Sequence, residues 1–567
     1  MTQVSACKQS LSKAGTSFIQ SDRMLTVWGG ACCLLLAGVI LFTHLNYTLL
    51  EPDEGRYAEI PRLMVIHRDY ITPKLDGKPY NDKPPLVYWL VALGYQLFGI
   101  EAWVGRAVCA LAGWLSMVAL YLWSCRYLGV RAALLTVLIM CSMLGFIVFS
   151  RMLLLDSVLS FLVLVAWLTG HHAIAGEQLR WRWWMVSAIA CGLGILAKGP
   201  VAAVLVLPML IAYRWLASDS VRWGWQAGVA YVAVFSLIGL PWYLVMIFTN
   251  EGFAAEHFWR HHIRRFLDPY HHKKPFWYYG PAWLVETMPW TGVALLACRY
   301  WREWSGPLRF CAASAVWVFA FFSMSSGKLP TYLLPMLALN GLLIAAFLDR
   351  CLKQASTTAF PRWLMLGGLG SLIVVIALRG QVAKHFLLHD EHMYDYLVLC
   401  VLPICLLLPW RTMPIRWTLS LATVTALFLV TLTVWHVLPD HADQASKGEP
   451  SAALAEWGLQ HGMPVVAYRG SWQATSFYLQ RAELKVYHKE DTQQLVQFIR
   501  SQNKVLVLVR PEGDRVSEFV KSLPPDLQVE RLFNPSFMSY GLVISKASAT
   551  ANKESDRPLP EPIASRR

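Results

Sequence analysis

Thirteen apolar stretches set the terms on which this chain can fold. They lie near residues 24–46, 101–124, 130–149, 156–174, 183–198, 200–216, 223–248, 285–303, 308–326, 331–348, 363–378, 393–410 and 415–437. A helix needs about 20 apolar residues to cross a hydrocarbon core ~30 Å thick, and most of these stretches approach that length. Only 15% of the 567 residues are charged, where soluble domains run near ~25%. Mean hydropathy is +0.41. The sequence therefore predicts an α-helical polytopic membrane protein with about thirteen crossings. A formal charge of +14 does not make the chain a nucleic-acid binder, because much of the excess sits in short loops between apolar stretches. Residues 24–46 follow a polar segment, 1–23, that carries Lys8, Lys13 and Arg23 and no small-residue cleavage site. They read as a retained anchor.

Residues 84–99 are apolar too, but they number sixteen, only ~24 Å of helix. Charge decides their placement. If they do not cross, Arg126/Arg131, Arg180/Arg182, Arg214/Arg222, Arg299/Arg302/Arg309, Arg350/Lys353/Arg362, Arg411/Arg416 and the N-terminus share one side. That set is a cytoplasmic face. Residues 84–99 then lie along the outer interface, and the loops around Asp53, Asp156, Lys198, 257–272 and Lys328 all face outward.

The most polar connector, residues 50–83, holds Glu51, Asp53, Glu54, Glu59, Asp69, Asp76 and Asp82 against Arg56, Arg62, Arg68, Lys74, Lys78 and Lys83. Loops on a rigid scaffold are where chemistry tends to sit. Asp53 and Arg56 are three apart and share a face if a helix starts there; acids also favour a first helical turn for capping reasons alone. Tyr80, Asp82 and Lys83 precede Pro84 and Pro85, which keep the chain extended before them and permit a helix after them. A lysine is a mobile point charge suited to phosphate, and equally a snorkelling anchor.

Arg151 and Asp156 fall at the outer ends of two consecutive stretches, and Lys198 closes another. Each is either an interface anchor or a site residue. Gly192 and Gly194 are not a dinucleotide fingerprint, since no strand precedes them, so no nucleotide cofactor is expected. The loop 249–284 carries Glu256, His257, Arg260, His261, His262, Arg264, Arg265, His271 and His272 among aromatics. A basic, aromatic-flanked loop at a membrane surface suits anionic headgroups, with zinc at a histidine beside a carboxylate as the second reading. Lys328 and Tyr332 share the same outer face. Ionisable residues fall at the ends of the stretches and no inverted repeat is visible, which argues against a transporter.

From about residue 438 the pattern changes to alternating strand and helix segments: PVVAY, VYHK, KVLVLVR, VERLF and GLVIS against AALAEWGLQHG, SWQATSFYLQR and GDRVSEFVKSL. That predicts a small α/β domain, 438–545, with a partly parallel sheet. Residues 546–567 are polar and proline-rich and are expected to be disordered. None of the twelve cysteines falls after Cys405, and most lie in apolar stretches, so neither a disulfide framework nor a cysteine metal site is implied.

Taken together, PDEGRYAEI, TPKLDGKPYNDKPPLVYW, SRMLLLD, LAKGP, RRFLDP…PFWYY and SGKLPTYLLP resemble the lipid A aminoarabinose transferases. These sit within the polyprenyl-phosphate-sugar glycosyltransferases that include protein O-mannosyltransferases. The resemblance is close over residues 25–345 and looser beyond. It implies a C-type glycosyltransferase fold, membrane domain 24–437 with a first outer loop 50–100, and a periplasmic site in the bacterial inner membrane. It also implies an undecaprenyl-phosphate-linked sugar as donor and lipid A or another anionic lipid as acceptor. Asp53 then matches the essential acid, and Arg56 and Lys83 match holders of the donor phosphate. Tyr80, Asp156, Lys198, Arg260 and Tyr332 match other cavity positions, and Asp82 with His257 matches a divalent-metal pair. The chain departs from the family pattern at position 82, where Glu is expected and the shorter Asp stands. That departure leaves room for transfer of another sugar to a hydroxyl of a glycan, lipid or protein.

Overall fold

The computed structural model describes residues 25–216, 221, 223–264, 273–354, 414–446, 448–470, 472–480, 484–510, 515–534, 539–546 and 557–558. By contact density the chain forms two units. One comprises Met1–Leu45, Asn81–Val87 and Arg106–Val437; the other comprises Asn46–Tyr80, Tyr88–Gly105 and Leu438–Arg567.

The first unit is helical. Among the described residues, five helices are long and apolar enough to cross a membrane: Ala102–Tyr127, Leu155–Ile174, Gly306–Met324, Pro330–Gln354 and Arg416–Asp443. Two bent pairs raise the number to seven: Val130–Cys141 with Leu144–Arg151, bent by 65°, and Trp225–Gly239 with Pro241–Thr249, bent by 47°. The second bend has a plain cause, since Pro241 occupies the first turn of the new helix and its missing N–H cannot continue the old one. The expected crossing at 285–303 is two short helices, Tyr279–Glu286 and Thr291–Arg299, with Pro289 in the break. The anchor at 24–46 and the stretch at 200–216 form the shorter apolar helices Thr26–Phe42 and Val201–Tyr213. The expected crossings at 363–378 and 393–410 lie outside the described residues. Large apolar side chains such as Leu122, Leu237, Phe248 and Val316 stay exposed on these helices, as lipid-facing surfaces require.

A charged side chain deep in this unit is held by backbone carbonyls. Arg151 is 0% exposed and donates from Nη1 to the carbonyls of Ile40 and Leu41, and from Nη2 to that of His44, 2.9 Å away. The last carbonyls of a helix have no intrahelical partner. Arg151 supplies one for the helix Gly30–Phe42.

The second unit joins the first outer loop to the C-terminal domain. Helix Asp53–His67 is followed by a hairpin of β1 (Lys74–Leu75) and β2 (Lys78–Pro79). Its two turn residues, Asp76 and Gly77, both have positive φ, 51° and 70°, the Asp-Gly turn whose twist suits a hairpin. Residues 84–99 contain the helix Leu86–Phe98, 13 residues long. The C-terminal part contains β3 (Val465–Tyr468), β4 (Val486–Tyr487), β5 (Lys504–Val509), β6 (Leu527–Asn534), β7 (Ser539–Lys546) and β8 (Arg557–Pro558) in the order β4-β3-β5-β7-β6-β8. β3 is parallel to β4 and β5, whereas β7 runs antiparallel to β5 and β6. Central β5 reads KVLVLV and is buried from its second residue onward, the continuous apolar run of a strand covered on both faces. Within the tail expected to be disordered, Lys546 ends β7 and Arg557–Pro558 pair with β6; the rest lies outside the described residues. The helix Thr492–Ser501 is an element that the strand and helix patterns did not foretell.

Candidate active site

The candidate residues fall into three groups, two in the helical unit and one in the unit of the outer loop. Each cation is best read through the partner it has chosen.

In the outer loop, Pro52 precedes a helix whose first turn presents Asp53 and Arg56 together. Their side chains lie 3.6 Å apart and stay 39% and 26% exposed, so the spacing-based expectation of a shared face holds. Burial works against the Arg56 charge, but Tyr80, Tyr57 and Asp53 around it outweigh that and hold its pKa above the ordinary arginine value. Tyr80 is placed by its own N–H, which donates to the carbonyl of Pro73 at 2.7 Å. Asp76 at the hairpin turn is pushed above the usual carboxylate range by burial, which outweighs the bond from Gln473 and the fields of His488, Arg56 and Lys78.

A second group gathers in the helical unit around a residue the motifs did not single out. Asn81 donates from Nδ2 to Glu256 Oε2 at 2.8 Å, accepts from Asn250 Nδ2 at 2.9 Å, and its carbonyl lies 2.7 Å from His257 Nδ1. Three contacts to the segment 250–257 fix the residues that follow it. Lys83 Nζ donates to Asp82 Oδ1 at 2.6 Å. Arg260 is half-exposed and sits 3.7 Å from Glu256 one helical turn away. His257 is buried against Phe253, Trp242, Tyr243 and Phe258, with Phe253 stacked at 5.0 Å.

These partners correct the metal expectation. A catalytic zinc keeps three protein ligands, and among the described residues no group of three or more His, Cys, Asp or Glu side chains could hold a metal ion. Asp82 is engaged by Lys83, and His257 faces a carbonyl and four aromatic rings. His271 and His272 lie outside the described residues. The pair does not fit the ion.

The third group draws on four segments of the helical unit. Asp156 sits in the first turn of Leu155–Ile174, where the helix dipole favours a carboxylate. Lys198 ends the helix Trp181–Lys198; Gly199 follows with φ 100° and Pro200 begins the next turn, a stop-and-restart sequence. Lys198 Nζ donates to Asp156 Oδ1 and lies 4.4 Å from the centre of the Tyr332 ring. Tyr332 stands on the short helix Pro330–Leu333. Its neighbour Tyr279 donates to the carbonyl of Leu329 at 3.1 Å, and burial, reinforced by Tyr332 and Asp156, raises its phenol pKa. Lys328 is buried, donates to the carbonyls of Ser323 and Ser325, and lies 6.0 Å from the Tyr279 ring. Burial lowers its pKa below the ordinary lysine value.

Tyr279 and Asn81 escaped the reading of the chain because neither carries charge. The motifs did contain them, in PFWYY and PYNDK.

A family model for dolichyl-phosphate-mannose-protein mannosyltransferases matches residues 82–244. The chain is 32% identical over 375 residues to the undecaprenyl phosphate-alpha-4-amino-4-deoxy-L-arabinose arabinosyl transferase of Pseudomonas aeruginosa strain LESB58, a match spanning 64% of this chain and 67% of that protein. It is 35% identical over 346 residues to the transferase of the same name from Aeromonas hydrophila, spanning 58% of this chain and 61% of that one. Among solved structures, ArnT from Cupriavidus metallidurans bound to undecaprenyl phosphate superposes with a TM-score of 0.72 at 23% identity, covering 93% of this chain and 99% of that one. That likeness establishes the fold: a helical membrane domain with a C-terminal sheet region.

Proposed function

Because the chain belongs to the family of undecaprenyl phosphate-alpha-4-amino-4-deoxy-L-arabinose arabinosyl transferases, we propose that it moves 4-amino-4-deoxy-L-arabinose from undecaprenyl phosphate to a phosphate of lipid A. The positive-inside distribution of basic loops supports thirteen crossings of the bacterial inner membrane, with the N-terminus inside and the C-terminal domain in the periplasm. The sugar's amine then offsets a phosphate charge on the outer surface, which weakens the attraction of cationic antimicrobial peptides such as polymyxin.

Chemistry assigns the roles. An acceptor phosphate oxygen attacks the anomeric carbon, and the bond to undecaprenyl phosphate breaks with its electron pair leaving on that phosphate. Arg56 and Lys83 hold the departing phosphate; Tyr80, Lys198 and Tyr332 line the substrate, with Asp156 holding Lys198; Arg260 meets anionic acceptor groups. A phosphate monoester needs no base, since its first proton is gone at neutral pH and its second titrates near pH ~6. Asp53 therefore acts through its charge, stabilising the positive anomeric carbon or orienting the sugar.

The observation that carries this reading is a repeated one. Arg56, Lys83 and Lys198 each rest against a carboxylate, Asp53, Asp82 and Asp156 respectively. Such a pair can open to admit a phosphate and leave the carboxylate facing the sugar. Mass spectrometry of lipid A from cells lacking the protein, with and without the gene restored, tests it: aminoarabinose should appear only on restoration.

A second reading has its own support in the mannosyltransferase match over residues 82–244 and in Asp at position 82. It gives another sugar to a hydroxyl, and Asp53 then serves as the base that such an acceptor requires.

A further inference from the structure

The segment that carries Asp53 and Arg56 is not held by its own helix alone. Within the unit that joins the outer loop to the C-terminal domain, residues from 443 to 510 grip it at successive points. Thr48 donates from its backbone N–H to Asp443 Oδ1 at 3.3 Å and from its hydroxyl to Glu449 Oε2 at 3.2 Å. The N–H of Leu49 donates to the Tyr478 hydroxyl at 2.8 Å. Arg510 then takes Glu51 in a fork, Nη1 to Oε2 and Nη2 to Oε1, each at 2.6 Å. Both side chains of this pair are buried, 8% and 10% exposed.

The fork is built on rigid ground. Arg510 directly follows β5, the central strand, and its guanidinium lies 4.8 Å from the centre of the Trp472 ring. Trp472 is itself pinned by its indole N–H to the carbonyl of Arg469 at 2.9 Å. The next residue, Gln473, donates to Asp76 Oδ2 at 2.8 Å, and Asp76 lies within the field of Arg56. Between these two grips, Gly55 packs so closely on Ala474 that an added Cβ would meet its backbone nitrogen and Cβ at 2.9 Å. Close packing of this kind transmits a fixed position rather than a loose one.

We propose that Arg510 is a positioning residue for catalysis: through its fork with Glu51, two residues before Asp53, the C-terminal domain sets where the Asp53 and Arg56 side chains point. Gln473 does the same from the other side through Asp76. The C-terminal α/β domain is thus part of the catalytic apparatus. This rests on the roles given above to Asp53 and Arg56. A bidentate arginine fixes direction as well as distance, which a lysine cannot.

The test uses full-length protein in lipid nanodiscs, with undecaprenyl-phosphate-linked aminoarabinose as donor and lipid A as acceptor. Asp53→Asn is measured first. Full activity in that variant would remove the role of Asp53, and this inference with it. If Asp53→Asn is impaired, Arg510→Ala is compared in the native and Asp53→Asn backgrounds. A misplaced reacting group costs ~10²-fold in rate, so kcat should fall about that much in the native background. Once Asp53 has lost its charge, the further loss should be under about threefold. An equal loss in both backgrounds would mark Arg510 as a general support of the fold, and no loss in the native background would also overturn the proposal. Should Arg510→Ala fail to fold, Arg510→Lys keeps the charge but not the fork, and the same comparison decides on that variant.

Discussion

Arg151 and Lys198 are cations at the ends of apolar helices, and the sequence offers no means of telling their roles apart. The structure does. Arg151 donates to four backbone carbonyls, those of Ile40, Leu41 and His44 around the end of one helix and that of Val434 on another, and is wholly buried. Lys198 has one carboxylate and the face of one ring. A cation surrounded by carbonyls is committed, because moving it strands acceptors that have no other partner. A lysine facing a single carboxylate can turn to a phosphate and back. On this criterion Lys328, with two carbonyls, belongs with Arg151; Lys83 and Arg56, whose ion-pair partners are carboxylates, are set beside Lys198. The buried fork of Arg62 on Glu59, 2.6 and 2.7 Å, is of the committed kind as well, since both of its contacts must break together.

The largest expected effect comes from breaking the committed member. Arg151→Met should leave the carbonyls of Ile40, Leu41 and His44 buried without donors, at ~1–3 kcal/mol for each such group. Little folded protein should accumulate, as size-exclusion profiles and thermal unfolding would report. Native-like yield and melting would end the distinction between the two classes.

Next in size is Asp53→Asn. Removing one preorganised charge typically lowers a rate by ~10²–10³-fold, and thermal stability should hardly change because Asp53 is 39% exposed. Glu at the same position should restore little, since reach matters as much as charge.

A smaller effect is expected at Lys83. Charge-assisted contacts are worth ~1.5–3 kcal/mol, so Lys83→Ala should lower transfer roughly tenfold or more and weaken binding of undecaprenyl phosphate. Lys328→Met should instead lower the melting temperature and leave donor affinity nearly unchanged. If the two lysines exchange behaviours, the partner criterion is wrong.

The smallest effect is a pH dependence of stability. Burial raises the pKa of Asp76, so the folded state holds this proton more tightly than the unfolded chain does. The sign follows: the group favours folding at low pH, and that contribution fades as pH rises from the unfolded value near ~3.9 through the folded one. Asp76→Asn keeps an acceptor for Gln473 and should flatten this part of the stability profile. A profile unchanged by the substitution would show that Asp76 titrates normally.

Much of this was legible before any coordinates. Apolar length gave the helical membrane class, and three-residue spacing gave the Asp53–Arg56 face. What composition could not show were breaks inside apolar runs. Residues 285–303 read as one crossing because Pro289 sits among apolar neighbours, and the 65° bend near Ser142 involves no proline at all. Long-range pairing was equally invisible. Glu51 and Arg510 are 459 positions apart, and no local pattern marks either as the other's partner. The metal expectation failed for a related reason: a motif names residue types, and only geometry shows that Lys83 has already engaged Asp82.

The central claim is that a phosphate, not a hydroxyl, receives the sugar. The most direct measurement is in vitro transfer from undecaprenyl-phosphate-linked aminoarabinose onto lipid A, beside lipid A stripped of its phosphates. The account predicts product with intact lipid A alone, at a rate that stays flat from about pH 6 to 9 after correction for acceptor ionisation. Product on the dephosphorylated lipid, with a rate titration that Asp53→Asn abolishes, would contradict it.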